Sequence, residues 1–140
     1  MNGEIAAKLR EMERYVQMLK DYQKSTIRQL KSDMTLRGAV ERYMQLAIEI
    51  VVETGEMIIA RQGFKKPETY REVIEILGEN KVIDSGFAKK FAPAAGFRNI
   101  LVHRYGSIQI EELYEHLQRD VKDFDTFAKQ VAEYLKRKKF

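Results

Sequence analysis

Between Glu4 and Lys31, apolar residues fall at Ile5, Leu9, Met12, Val16, Leu19, Ile27 and Leu30, with polar Gln23 in one of the expected apolar slots. A mean spacing of about 3.5 residues is the mark of an amphipathic helix, so the pattern predicts one long helix over 4–31. Asp33 stands where a second helix needs an N-cap. That helix carries Leu36, Val40, Tyr43, Ala47, Ile50, Thr54 and Met57 on one stripe, with Met44, Val51 and Ile58 beside it. So wide an apolar face predicts the most central helix, or one packed against its neighbours and a second copy of the chain.

Residues 63–67, Gly-Phe-Lys-Lys-Pro, read as a turn, with Pro67 suited to the first position of the next helix. Tyr70, Val73, Ile74 and Leu77 mark a short helix ending near residues 78–80. Asp84 or Ser85 then caps a segment from Phe87 to Phe91 that runs into Pro93. Proline removes a donor and crowds the preceding turn, which predicts a kinked helix ending near Tyr105. After Gly106 and Ser107, apolar residues at 110, 113, 117, 121, 124, 128, 131 and 135 alternate steps of three and four and close on Lys136, Arg137, Lys138 and Lys139. No strand alternation, internal repeat or low-complexity stretch interrupts the series. The expected fold is all-α: an up-and-down bundle of four long helices plus a short one, a single domain over 1–140 with a basic tail at 136–140.

Composition narrows the function. At 140 residues, 44% apolar and 33% charged, the chain has the makeup of one soluble globular domain. Without cysteine it has neither disulfides nor cysteine-bound zinc, which fits a reducing cytoplasm. Acidic residues stand at the N-terminus where a signal peptide would be apolar, and no apolar run is long enough to span a membrane. The net charge of +4 points toward an anionic partner. The two histidines, His103 and His116, are thirteen residues apart with no HExxH-like pairing, and neither a glycine-rich phosphate loop nor a G-x-S-x-G elbow is present. No metal or cofactor is expected. His116, beside the apolar stripe of a charged helix, reads as a solvated residue.

The chemistry concentrates in residues 98–105, Arg-Asn-Ile-Leu-Val-His-Arg-Tyr, followed by Gly106. Phe97, Ile100 and Leu101 form the apolar stripe, and Gly106 is the usual left-handed stop. His103 therefore falls in or near the last turn, where unpaired carbonyls and the helix dipole suit a cationic side chain and a histidine can both take and give a proton. Arg98 and His103 are about 140° apart around a straight helix and about 7.5 Å apart along it. They converge on one phosphate only through the length of arginine at a helix end, or through a second copy of the helix. Asn99 shares a face with His103 and is placed to hold its tautomer. Taken singly, His103 is as well explained as a cap, Arg98 as a surface ion pair and Tyr105 as packing. A histidine phosphotransfer bundle would want its histidine in mid-helix, not three residues before a glycine stop.

Arg-x4-His-x-Tyr in this setting resembles the motif of the HEPN-domain ribonucleases, and the longer string resembles the HepT-type toxins among them. Residues 39–59, the linker 63–84 and the last helix are also similar to that family, so the likeness runs from about Arg37 to about Leu135. The resemblance implies a metal-independent endoribonuclease in which the RNA 2′-hydroxyl attacks the adjacent phosphate. His103 would then be the general acid or base and Arg98 the phosphate holder. One histidine per chain serves poorly as both acid and base, so a homodimer is implied. The resemblance also implies a partner, a minimal nucleotidyltransferase antitoxin that adds AMP to Tyr105. RNA is the implied substrate, with neither DNA nor a membrane as partner. From another class, a non-catalytic helical adaptor for a nucleotidyltransferase would keep the motif to bind nucleotide or be modified.

Overall fold

The structure, a computed structural model, describes residues 2–139. It holds six helices: α1 (Asn2–Tyr22), α2 (Ile27–Ser32), α3 (Met34–Gln62), α4 (Tyr70–Glu79), α5 (Ser85–His103) and α6 (Ile110–Lys138). Among the described residues there is no strand. The four long helices form the expected all-α bundle, and α4 is the expected short one.

Helix α2 is the departure, because the single helix expected over 4–31 is two. Thr26 accepts the Gln29 N–H on its hydroxyl at 3.1 Å, and the Gln29 side chain accepts the Thr26 N–H at 2.8 Å. This reciprocal capping box satisfies two helix-end donors at once and starts a new helix. The apolar spacing runs on because Leu19 and Leu30 are buried on either side of the break. Gln23 fills no apolar slot. Its amide donates to the Leu117 carbonyl at 3.0 Å, and its own carbonyl accepts from Gln118 at 3.0 Å, which ties the α1–α2 turn to α6.

Asp33 and Asp84 cap α3 and α5 as expected, accepting from the N–H groups of Leu36 and Phe87 at 3.0 and 2.9 Å. Pro67 does not open α4. Thr69 caps that helix, accepting from Glu72 N–H at 3.0 Å, and Pro67 lies in the connection before it. Helix α5 runs through Pro93 as one element and ends at His103. Gly106, at φ +81°, takes the left-handed conformation that glycine adopts without steric cost.

Helix α3 touches each of the other five helices, the central position its wide apolar face predicts. Helix α6 brings Leu113, Leu117, Val121, Phe124, Phe127 and Val131 into the core, all buried. Phe91 of α5 meets Phe124 edge-on with ring centroids 5.8 Å apart. Helix α4 approaches its neighbours through two glycines. A Cβ on Gly55 would lie 2.5 Å from Val73 Cγ1, and one on Gly78 would lie 2.4 Å from the Ala88 Cβ. The second contact is between atoms that cannot rotate away, so α4 and α5 sit this close only because residue 78 has no side chain. Gly78→Ala is expected to lower stability by about 1–3 kcal/mol, the usual cost of overpacking. Urea unfolding checks this, and an unchanged midpoint would mean that α4 and α5 are not packed this closely.

Candidate active site

The last two turns of α5 are rooted by buried Phe97 and Leu101, and of the two polar residues between them only Asn99 is exposed. Arg98 is directed back toward the bundle. Its Nε donates to Glu49 Oε2 of α3 at 3.1 Å, and its guanidinium carbon lies 4.9 Å from the centre of the Tyr70 ring at the start of α4. Glu49 is itself held by Gln45, whose amide donates to the same oxygen at 3.2 Å. The ion pair expected of an ordinary arginine is therefore present, but it comes with a stacking partner and a side chain only 23% exposed. Among the described residues the remaining guanidinium N–H groups have no bonded partner. They form the flat donor fork that suits a phosphate.

His103 is the last residue of α5 and is exposed, as is Asn99 one turn earlier. No hydrogen bond joins the two among the described residues. Arg98 points to α3 and α4 while the imidazole stands in solvent, so one chain does not bring these two side chains into contact. Tyr105 is 64% exposed. Its hydroxyl lies 3.4 Å from where a Cβ on Gly38 would sit, so the ring reaches back over the first turns of α3.

The loop that carries Tyr105 is fastened by residues that the sequence pattern did not single out. Glu41 of α3 is 2% exposed. Its carboxylate accepts the Gly106 N–H at 3.2 Å and Arg37 Nε at 3.0 Å. Arg37 also donates to the Ile108 carbonyl. Arg37, Glu41, Gln45 and Glu49 follow one another at intervals of four and so share one face of α3, and that face meets the end of α5 and the loop beyond it. A signal was present: Glu41 sits among Val40 and Met44, both buried, with an arginine four residues before it. A carboxylate in such a stripe has to be paired.

Where the loop enters α6, Lys31 pairs with Glu111 at 3.2 Å. The Glu111 carboxyl lies below its ordinary value, first through a bond to its own backbone N–H and then through Lys31. His116 is buried, contrary to the solvated reading. Its ring stacks on Phe97 at 3.8 Å and its Nδ1 is 2.5 Å from Asp120 Oδ2. It is a packing group behind the motif helix. Lys136, Arg137, Lys138 and Lys139 are exposed at the end of α6; Phe140, the last residue of the expected tail, lies outside the described residues. Among those residues no cluster of three or more His, Asp or Glu side chains is placed to hold a metal ion.

The chain matches the model of a family described as "Ribonuclease HepT-like" over residues 12–131. It is similar to the tRNA nuclease HepT of Aphanizomenon flos-aquae, 24% identical over 131 residues that cover 94% of this chain and 89% of that protein. It is also similar to the mRNA nuclease HepT of Shewanella oneidensis, 26% identical over 99 residues covering 71% and 74%. The fold resembles that of a tri-AMPylated Shewanella oneidensis HEPN toxin solved in complex with its MNT antitoxin. The TM-score is 0.84 at 23% identity, covering 95% of this chain and 99% of that one. Matched over most of its length, with Arg98, His103 and Tyr105 inside the matched span, the chain belongs to the HepT-like ribonuclease family.

Proposed function

We propose that this chain is the toxin ribonuclease of a toxin–antitoxin pair, that it cleaves RNA without a metal ion, and that AMP placed on Tyr105 silences it. The observation that carries the reading is that a half-buried, stacked arginine and an exposed histidine at one end of α5 are followed by an exposed tyrosine on a loop tied to α3. Family membership favours this over an adaptor without catalysis.

In the proposed reaction the 2′-oxygen of a nucleotide bonds to its own 3′-phosphorus as the bond from phosphorus to the next 5′-oxygen breaks. The 2′-hydroxyl proton goes to a neutral imidazole, and a protonated imidazole gives one to the leaving 5′-oxygen. The products are a 2′,3′-cyclic phosphate and a 5′-hydroxyl. Proton transfer of this kind is typically worth about two to four powers of ten. The free N–H groups of Arg98 hold the phosphate and the charge that grows on it. Asn99, one turn before His103, steadies the imidazole once substrate is bound.

Two proton transfers call for two imidazoles, and each chain supplies one exposed histidine at this end. We therefore place the site between two copies of the chain related by a twofold axis. Half-buried Pro93, Gly96 and Ile100 support this, because at steps of three and four they leave an apolar strip along α5 next to the motif. The chain then works as one HEPN-like domain per protomer. Among the described residues no helix is long and apolar enough to cross a membrane, and the proposed place of action is the cytoplasm, where RNA is at hand.

The antitoxin of the proposed pair is a minimal nucleotidyltransferase. The related toxin solved with its MNT antitoxin is tri-AMPylated, and Tyr105 has the exposure such a modification requires. Each phosphodiester adds about one negative charge, which competes with substrate phosphate for the nearby cations.

Two outcomes test the reading. RNA cleavage is expected to persist in EDTA and to fall at least a hundredfold in Arg98→Ala and in His103→Ala, with circular dichroism showing both variants folded; activity restored to EDTA-treated protein by magnesium or manganese would contradict it. Incubation with a cognate nucleotidyltransferase, ATP and magnesium is expected to add AMP to Tyr105 and stop cleavage. Tyr105→Phe should cleave RNA and escape that inhibition. Intact-mass spectrometry locating the AMP on another residue would remove Tyr105 from the account.

A further inference from the structure

A cavity of about 810 Å³ opens at the opposite end of the bundle from the motif, between the end of α4, the start of α5 and the end of α6. Lys81, Arg137 and Lys138 line it together with Glu79 and Asp84. We propose that this end of the molecule is a second RNA-binding site, one that holds the phosphate backbone of the substrate away from the point of cleavage. The proposal rests on the ribonuclease reading and extends it to the size of the substrate.

Three observations converge here. First, Lys81 has φ +59°, in the left-handed region. A lysine there is strained, and glycine would adopt that conformation more readily. The fold bears this cost and gains an ammonium at the cavity wall. Second, Arg137 is held in place: it donates to the Lys81 carbonyl at 3.3 Å and its guanidinium carbon lies 5.5 Å from the centre of the Tyr134 ring. Third, residues 136–139 carry four positive charges, as many as the net +4 of the whole chain, so the rest of the sequence is balanced.

Of the acidic groups in the wall, Asp84 is engaged as the cap of α5, which leaves Glu79. Among the described residues none of Lys81, Lys136, Lys138 and Lys139 has a carboxylate within ion-pair distance. Complementing the end of α6 accounts for cations in its last turn, but not for Lys81, which belongs to the α4–α5 connection. Lys81 and Lys138 line the open cavity, and Lys136 and Lys139 stand exposed on the same end of α6. Such a surface follows a backbone of many phosphates better than it encloses a single nucleotide.

The distance gives the proposal its content. Helix α5 separates the two ends, and its 19 residues span about 28 Å. A dinucleotide is too short to touch both ends, whereas a folded RNA of stem-loop size reaches from one to the other. The basic end therefore contributes to binding of long RNA and contributes nothing to cleavage of a dinucleotide.

The test uses Lys81→Gly alone and the triple variant Lys81→Gly/Lys138→Gln/Lys139→Gln. Binding of a stem-loop RNA is followed by fluorescence anisotropy across a salt series in a His103→Ala background, and cleavage of the dinucleotide UpA is followed in the active chain. The triple variant is expected to bind the stem-loop about tenfold or more weakly, with a slope of log affinity against log salt shallower by about two. UpA cleavage should stay within twofold of the unaltered chain. Lys81→Gly alone should melt no lower than the unaltered chain while binding RNA more weakly, which a purely structural lysine would not do. Unchanged stem-loop affinity and slope overturn the proposal. So does loss of UpA cleavage, which would put these lysines in the cleavage site, and so does loss of antitoxin binding with RNA binding intact. If the unaltered chain cleaves no RNA but the variants still lose binding, the ribonuclease reading fails and the basic site stands.

Discussion

A carboxylate buried as deeply as that of Glu41 needs bonded partners, since removing such a group from water is costly. Its partners are Arg37, one turn earlier on the same helix, and the N–H of Gly106. The pairing that keeps this charge tolerable in α3 is therefore also what fixes the loop after α5. Arg37 adds a bond to the Ile108 carbonyl, so the loop is gripped on both sides of Ser107. Gly106 can accept this because its left-handed conformation costs little without a side chain. His103 and Tyr105 remain in solvent, yet the chain on which they stand is set by a buried electrostatic contact.

Arg98 obeys the same logic from the other side. Glu49 and Tyr70 hold its head between α3 and α4, so less rotamer entropy is lost when a phosphate arrives than for a free surface arginine. Glu49 also sets a limit: a phosphate has to share the guanidinium with it or displace it. Behind both residues, His116 stacks on Phe97 and is bonded to Asp120, which fixes the rotation of α5 about its own axis. Helix α5 thus presents the proposed phosphate holder and proton carrier at one end and, through its neighbours, a cluster of cations at the other. RNA is a polymer of phosphates, and a protein that reads it has use for both.

Much of this was legible in the sequence, and the exceptions have physical causes. The long helices follow from apolar periodicity, and the centrality of α3 from the width of its stripe. The break between α1 and α2 escaped because Leu19 and Leu30 keep the apolar rhythm across it, while the capping box that makes the break lies in the polar residues Thr26 and Gln29. Pro67 misled because proline at the first helical position is common, but here Thr69 supplies the cap. The charge of its helix predicts a solvated His116, whereas the residue is buried. That it lies flat on Phe97 is a contact between distant residues, which spacing alone does not reveal. The candidate site was legible as a constellation, since Arg98, His103 and Tyr105 lie within eight residues. Its support was not, since Glu41, Glu49 and Tyr70 come from other helices.

The central claim is a reaction, RNA transesterification without a metal ion, and the ends of the product RNA record it. An RNA of defined sequence would be incubated with the protein in a chelator and the fragments identified by mass spectrometry. The account predicts 2′,3′-cyclic phosphate and 5′-hydroxyl ends, and no cut where the nucleotide 5′ to the scissile phosphate carries a 2′-deoxyribose. Fragments ending in 3′-hydroxyl and 5′-phosphate, or a cut that survives the 2′-deoxy substitution, would contradict it, because neither involves the 2′-oxygen that His103 is proposed to activate.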